Sequence, residues 1–282
     1  MANQNTTITV SVAGSQNYLP LNKTIDVSVK IKDKDTWVKK TWNGSIIPSD
    51  GQYIWTDGEN IYYSNGSSAQ YILDKSTSTW NTKTWNIDNC SSTDIWTDGS
   101  NTYFSTSSGT YVLNKETLTW NKKTLNGVAW ISGRNIWTDG DNIYDSDQGI
   151  HYVLDKSTDT WSGKTWNGLT NFYGYRIWTD GDSIYYSNGS SQQYVLNKST
   201  STWETKTWNG IDTKYLESSY IWTDGDNIYF SRNKGLHYVL DKSTSTWNPK
   251  TWNGYEYFFG LRIWTDGKDI YCSDGSNQYI LT

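Results

Sequence analysis

Ile177-Trp178-Thr179-Asp180-Gly181 opens, and Lys206-Thr207-Trp208 closes, a segment that the chain repeats around its length. Between them lie Ile184-Tyr185-Tyr186-Ser187, Gln193-Tyr194-Val195-Leu196 and Thr202-Trp203. Ile-Trp-Thr-Asp-Gly begins at Ile54, Ile95, Ile136, Ile177, Ile221 and Ile263. Tyr-(Val/Ile)-Leu recurs at Tyr71, Tyr111, Tyr152, Tyr194, Tyr238 and Tyr279, and a Thr-Trp pair at Trp37, Trp80, Trp120, Trp161, Trp203 and Trp247. Five residues later comes a second tryptophan, at Trp42, Trp85, Trp166, Trp208 and Trp252, with Leu125 standing in once. Self-similarity at a period of about forty residues belongs to solenoids, propellers and arrays.

One unit reads as four short strands. Strand a is Ile-Trp-Thr, and strand b follows an Asp-Gly pair that predicts a two-residue hairpin with both central residues at positive φ. A Gly/Ser loop leads to strand c, Gln-Tyr-Val-Leu, and an Asp-Lys-Ser-Thr turn leads to strand d, Trp-Asn-x-Lys-Thr-Trp. Four antiparallel strands per unit make a propeller blade, and radial packing leaves only short, protected edges. A solenoid needs distinct capping repeats, which the sequence lacks. The first repeat element is a lone strand d, Thr36 to Trp42, and the last is a strand c, Tyr279 to Leu281. Joined, they complete a sixth blade. The expected fold is all-β, a six-bladed β-propeller over 35–282 closed by its N-terminal outer strand. Residues 1–34 lie outside the repeat. Two stretches there alternate with period two, Thr6 to Val12 and Ile25 to Ile31, which predicts a short N-terminal β-arm for docking or oligomerisation.

The c–d turn carries a resemblance. Asp74-Thr77-Trp80, Asn114-Thr117-Trp120, Asp155-Thr158-Trp161, Asn197-Thr200-Trp203 and Asp241-Thr244-Trp247 keep the spacing of the kelch repeat. The chain resembles kelch propellers from about residue 35 onward, although Ser-Asn-Gly or Ser-Asp replaces the Gly-Gly pair usual at the end of strand b. The resemblance implies a fold; kelch propellers serve many roles.

Composition excludes several classes. The net charge is −5 with no basic block, so nucleic acid is not an expected partner. Cys90 and Cys272 are the only cysteines, too few for a disulfide framework. No run approaches the roughly 20 apolar residues of a membrane span, and mean hydropathy is −0.75. Met1-Ala2-Asn3-Gln4-Asn5 lacks the cationic and apolar regions of a signal peptide. The Lys-dominated basic residues and frequent Asn, Ile and Tyr suggest an AT-rich genome.

Strand direction alternates, so a–b and c–d turns share one face and b–c and d–a loops the other. The first set barely changes between copies; the d–a loops (45–52, 87–94, 128–135, 169–176, 211–220 and 255–262) change almost completely. Loops on a rigid scaffold carry binding. The candidate ligand-binding residues are therefore Trp130, Arg134, Phe172, Tyr173, Tyr175, Arg176, Tyr215, Tyr257, Phe258, Phe259 and Arg262. Filling of the upper core by these rings is the competing reading. The repeat-locked tryptophans, all but Trp130, are read as blade-to-blade packing. Asp-Gly-Asp turns are read as hairpins rather than calcium sites. His151 and His237 occupy one repeat position in blades that are not neighbours, so they cannot share a zinc. No cofactor, metal or catalytic residue is expected. The three arginines resemble the cluster of six-bladed sialidases, a low-ranked hydrolase alternative with no Glu-Tyr nucleophile arrangement.

The expected function is non-enzymatic binding. Near-identical repeats, a leaderless start and a β-arm look like bacteriophage virion or tail-associated adhesins. That reading gives a virion location, an arm that meets other virion proteins, and a variable face that meets a host-surface glycan or protein. The alternatives are a cytoplasmic kelch-type protein-interaction scaffold and a structural virion subunit with no ligand. Deleting residues 1–34 should leave the propeller's melting temperature unchanged. Deleting 1–42 should expose the strand c edge and give aggregation by light scattering; an unchanged, monomeric 1–42 truncation would contradict the closure.

Overall fold

The computed structural model describes residues 4–12, 21–29, 34–44, 48, 50–66, 70–190, 192–232 and 235–282, the first two stretches by backbone pairing alone. The end of the strand expected over 25–31, and most of the loop expected over 45–52, lie outside them. Packing divides the chain into two compact units, residues 1–35 with Thr282, and 36–281. In the first, β1 (Gln4–Val12) pairs antiparallel with β2 (Leu21–Val29), Gln4 opposite Val29 and Val12 opposite Leu21.

The second unit is a six-bladed β-propeller, each blade a four-stranded antiparallel sheet in the order a-b-c-d. Blade 1 comprises Ile54–Thr56, Ile61–Ser64, Gln70–Asp74 and Thr79–Thr82. Blades 2 to 5 repeat it over 95–123, 136–163, 177–206 and 221–249. Blade 6 takes a, b and c from Ile263–Thr265, Ile270–Ser273 and Gln278–Leu281. Its strand d is β3 (Trp37–Lys40), with Leu281 opposite Trp37 and Gln278 opposite Lys40.

The a–b connection differs from the two-residue hairpin expected. Thr56 pairs with Ile61, leaving a four-residue loop, and in it Gly58 has φ +95° while Asp57 stays at negative φ. The aspartate organises the loop instead. Its Oδ1 accepts from the backbone N–H of Glu59 and Asn60, and its Oδ2 from the Tyr62 hydroxyl at 2.8 Å. Asp98, Asp139, Asp180, Asp224 and Asp266 do the same with Tyr103, Tyr144, Tyr185, Tyr229 and Tyr271. Burial alone would raise the Asp57 carboxyl; these donors outweigh it and hold it below its ordinary value.

Six apolar clusters fill the six spaces between blades. The one between blades 3 and 4 shows the plan: Trp137, Tyr144 and Trp166 from blade 3 meet Ile184, Tyr186, Leu196 and Trp203 from blade 4. The two strand-borne tryptophan series and the one that follows strand d are thus junction residues, as their fixed positions imply. Each buried ring removes roughly 150–250 Å² from water.

The outer edge carries a second, polar connection. After strand d, five of the six Trp-Asn or Leu-Asn segments run parallel to the start of the next blade's strand d, giving bridges Asn43–Thr79, Asn126–Thr160, Asn167–Thr202, Asn209–Thr246 and Asn253–Thr36. The Trp203 N–H donates to Asn167 O at 2.9 Å, and the Asn167 N–H to Ser201 O at 3.0 Å. Glycine makes the approach possible: at Gly168, with φ +79°, an added Cβ would lie 2.2 Å from Trp203 O. Blade 1 has Ile87 there, a β-branched residue for which positive φ is strongly unfavourable. Its junction is bridged by the Asn86 side chain, which donates to Trp120 O at 2.8 Å and accepts from the Trp120 N–H at 2.7 Å.

On the conserved-turn face, Lys75, Lys156, Lys198 and Lys242 of the c–d turns donate to the a–b carbonyls of Asp266, Asp98, Asp139 and Asp180 in the preceding blade. Gly168→Ala should destabilise the fold by more than the roughly 1–2 kcal/mol of a left-handed residue, because it also pushes two blades apart. At Gly44 the nearest atom to an added Cβ is 3.5 Å away, so Gly44→Ala should incur the conformational term alone. Denaturant midpoints of the two variants check the difference.

Candidate functional site

Each d–a loop leaves strand d, crosses the b–c hairpin of its own blade and re-enters the ring. The crossing shows as bridges Asn65–Ser91, Asp147–Tyr173 and Asn188–Glu217. Three features fix it.

The first is a buried plug. Cys90, Ile131, Phe172, Leu216 and Phe258 stand at equivalent positions and are each at most 2% exposed. Phe172 packs against Trp203 at 5.3 Å between ring centroids, and Phe258 against Trp37 at 5.0 Å. This corrects the ligand-binding assignment of Phe172 and Phe258: they belong to the core, where the junction leaves a gap that an apolar side chain must fill.

The second is a tether from the residue just before the strand c tyrosine. Gln70 Nε2 donates to Cys90 O, Gln193 Nε2 to Thr213 O and Gln278 Nε2 to Pro48 O. His151 Nε2 lies 2.8 Å from Thr170 O, and His237 Nε2 2.8 Å from Glu256 O. Burial pushes both imidazoles below the usual histidine range, so each works as a neutral donor, stacked on Phe172 or Phe258. Thr110 occupies the position in blade 2, and its hydroxyl reaches Ser105 Oγ at 3.0 Å instead.

The third is a 3₁₀ turn directly before strand a: Gly51–Tyr53, Ser92–Asp94, Gly133–Asn135, Gly174–Arg176, Ser218–Tyr220 and Gly260–Arg262. Each touches the next in a closed circle, which six such short segments achieve only around a narrow centre. Four begin with glycine because the neighbouring turn presses on them; a Cβ at Gly174 would lie 1.8 Å from Asn135 O. Ser92 and Ser218 instead donate to Gln52 O and Tyr175 O of the preceding turns. The small residue three places before each Ile-Trp was visible in the sequence, but its meaning was not.

The remaining candidates divide. Trp130, Tyr175, Tyr215 and Tyr257 are 52%, 42%, 43% and 56% exposed. Tyr173, Arg176, Phe259 and Arg262 are half-buried, and Arg134 is exposed. The arginines do not form one cluster. Arg176 lies over Tyr173 and Tyr175, at 5.5 and 5.4 Å. Arg262 lies over Phe259, with Nε 3.7 Å from Asp50. Arg134 faces Asp94, whose carboxyl burial raises and Arg134 opposes. Sequence reasoning missed Arg232, at the end of a strand b, which caps Tyr215 at 5.9 Å and Tyr220 at 5.4 Å. Tyr220 in turn meets Phe259 at 5.9 Å. A run of aromatic and cationic side chains therefore extends over blades 5 and 6, beside that of blade 4.

Cavities lie on both faces: one of about 520 Å³ at Asp141, Val153 and Lys156 is on the opposite face, and others are elsewhere on the d–a face. Those formed wholly by described residues include depressions of about 330 Å³ at Gln70, Lys83 and Trp85, 410 Å³ at Phe104 and Tyr111, and 260 Å³ at Leu125 and Trp130. The first two share Ile87, Asp88 and Asn89, and the last two share Thr106 and Ser108.

No protein-family model matches the chain, and no curated protein matches it. Solved structures do. The extracellular domain assigned to a one-component system of B. thetaiotaomicron aligns with 96% of this chain and 39% of its own, at 13% identity and a TM-score of 0.52. The extracellular domain assigned to a hybrid two-component system of the same organism aligns with 90% of this chain and 36% of its own, at 14% identity and a TM-score of 0.48. The chain spans less than two fifths of either, and at these identities the likeness is one of fold: this is a β-propeller. Among the described residues no helix is long and apolar enough to cross a membrane.

One residue of the blade 2–3 junction departs from the plan. Asp145 stands where Tyr63, Phe104, Tyr186 and Phe230 place a ring; it is 6% exposed, and its Oδ1 accepts no hydrogen bond among the described residues. Burial, with Asp147 nearby, pushes its carboxyl from 3.8 up to about 7. A folded-state value above the unfolded one means stability that is full below about 3.8 and lost as pH rises through about 7. Asp145→Asn should flatten the fall in melting temperature across that window. Asp145→Phe should raise the melting temperature at pH 7 by a few degrees, as burial of a ring is worth about 1.5–3 kcal/mol.

Proposed function

We propose that this protein is a non-enzymatic binding protein that recognises its ligand through the d–a face. One observation carries the reading. Among the described residues the exposed large apolar side chains are Val38, Trp130, Ile150, Tyr175, Tyr215, Leu236 and Tyr257. All but Val38 belong to d–a loops or b–c hairpins. The opposite face commits the first aspartate and the threonine of each a–b turn, and four c–d lysines, to internal hydrogen bonds that recur from blade to blade, whereas the d–a face is chemically different in every blade. Exposed aromatics interleaved with arginine, on a rigid scaffold, are the composition of binding hot spots.

The form of the reading we favour is a kelch-like phage attachment protein that binds a host-surface glycan or protein, with residues 1–34 docking onto the particle. The kelch-like spacing is supported by the role of its aspartate: Asp74 Oδ1 accepts from the backbone N–H of Ser76 and Thr77, which starts the c–d turn. Whole-cell binding by the purified chain tests the function. The double variant Tyr175→Ala, Tyr257→Ala should weaken binding by about 2 kcal/mol, roughly 30-fold, at unchanged melting temperature. Asp141→Ala, on the opposite face, should leave affinity unchanged. Loss at Asp141 with retention in the tyrosine variant would move the site to the other face.

A further inference from the structure

The blade 2–3 junction breaks the repeat at three positions. Thr110 replaces the Gln or His that tethers the d–a loop, Leu125 replaces the second tryptophan, and Asp145 replaces a ring. Everywhere else in the described ring the tether and that tryptophan are present. Here the lysine two residues before that position keeps its bond to the next blade's c–d turn but loses its ring. Lys83, Lys164, Lys206 and Lys250 lie over their tryptophans at 4.6–4.7 Å, while Lys123 pairs with Asp159. Thr110 and Leu125 line a cavity of about 260 Å³ walled by the b–c hairpin of 106–110, the end of strand d and the d–a loop of 128–131; the equivalent place in blade 1, lined by Gln70 and Trp85, holds one of about 330 Å³. Trp130, the only tryptophan outside the repeat pattern, stands at its edge, 52% exposed.

We propose that this groove is a saccharide-binding subsite, with Trp130 as the platform on which a sugar ring stacks; the proposal specifies the ligand class for the binding function proposed above. The chemistry favours a hydroxyl-rich ligand. Thr106, Ser107, Ser108, Thr110 and Thr124 offer hydroxyls that both donate and accept, and Trp130 offers an apolar face. The adjoining depressions of about 410 and 330 Å³ continue the trough along blade 2 to blade 1, past Asp88 and Asn89. A linear oligosaccharide fits three shallow, confluent, polar basins better than a compact ligand does. Nucleic acid would need several uncommitted cations; Lys123 is paired with Asp159 and Lys83 donates to Leu118 O, which leaves Lys122 without an ion-pair partner among the described residues. A protein loop would seek a larger apolar floor than Leu125, Val128 and Ile131 supply.

The test uses the full chain on an array of neutral and acidic linear oligosaccharides. Binding is expected, and Trp130→Ala should reduce it about tenfold or more. Leu125→Trp and Thr110→Gln put larger side chains into the lining of the groove and narrow it at Trp130. Each should also reduce binding about tenfold or more while the melting temperature holds or rises, which separates groove closure from misfolding. Retained binding in Trp130→Ala and Leu125→Trp would overturn the subsite. If that retained binding falls in the Tyr175→Ala, Tyr257→Ala variant, recognition by the d–a face stands and only its placement here fails. An array without binding, beside whole cells that still bind through Tyr175 and Tyr257, overturns the saccharide class and leaves a protein ligand. Absence of binding to both array and cells overturns this proposal together with the broader one.

Discussion

Backbone-to-backbone approach between neighbouring outer strands is the constraint on which the ring depends. A single four-stranded sheet of this size buries its tryptophans on neither face alone, so stability comes from the junctions. Each junction needs its two blades at a fixed separation and tilt. Glycine at positive φ supplies that geometry, and at Gly127, Gly168, Gly210 and Gly254 a Cβ would collide with the next strand d. Where Ile87 forbids it, the Asn86 amide spans the wider gap with the same two kinds of bond. The aromatic clusters then fill a space whose width the backbone has set.

The same logic separates the two faces. Turn aspartates and lysines on one face serve hydrogen bonds inside a blade or to its neighbour, and substituting them unsettles the frame. On the other face, the frame asks only three things of a d–a loop: an apolar plug, an acceptor carbonyl for the strand c tether, and a small residue where the 3₁₀ turns touch. Everything else in the loop is unconstrained by packing, which is why its sequence varies.

The architecture was legible in the sequence because a repeat states its own register. The position of Trp37 before the first Ile-Trp, and of Leu281 after the last, is enough to close blade 6 on β3. The turn was misread because Asp-Gly has two uses: it makes a two-residue hairpin, or it starts a four-residue loop in which the aspartate side chain replaces a backbone bond. Asp57 does the second, and only the residue count between Thr56 and Ile61 distinguishes them. The site was half legible. Phe172 and Tyr173 are adjacent aromatics of one variable loop, yet one lies wholly in the junction and the other at the surface. Nothing in the loop's own composition separates them; the distinction follows from the place of Cys90, Ile131, Leu216 and Phe258 in the other copies. Arg232 escaped notice because its strand b position faces a loop far from it in sequence.

The two unlike junctions flank the same blade. Blade 2 is joined to blade 1 through a side chain, and to blade 3 across a seam with Leu125 where the other blades have tryptophan and Asp145 where four of the other five have an aromatic ring. In a closed ring the angular errors of six joints must sum to zero, so misfit introduced anywhere is absorbed by the most compliant joints. Blade 6, by contrast, is tied to β3 by a continuous register from Leu281–Trp37 to Gln278–Lys40. Blade 2, with a side-chain bridge on one side and a leucine-carboxylate seam on the other, is where such a ring has most room to absorb the misfit of near-identical but imperfect copies.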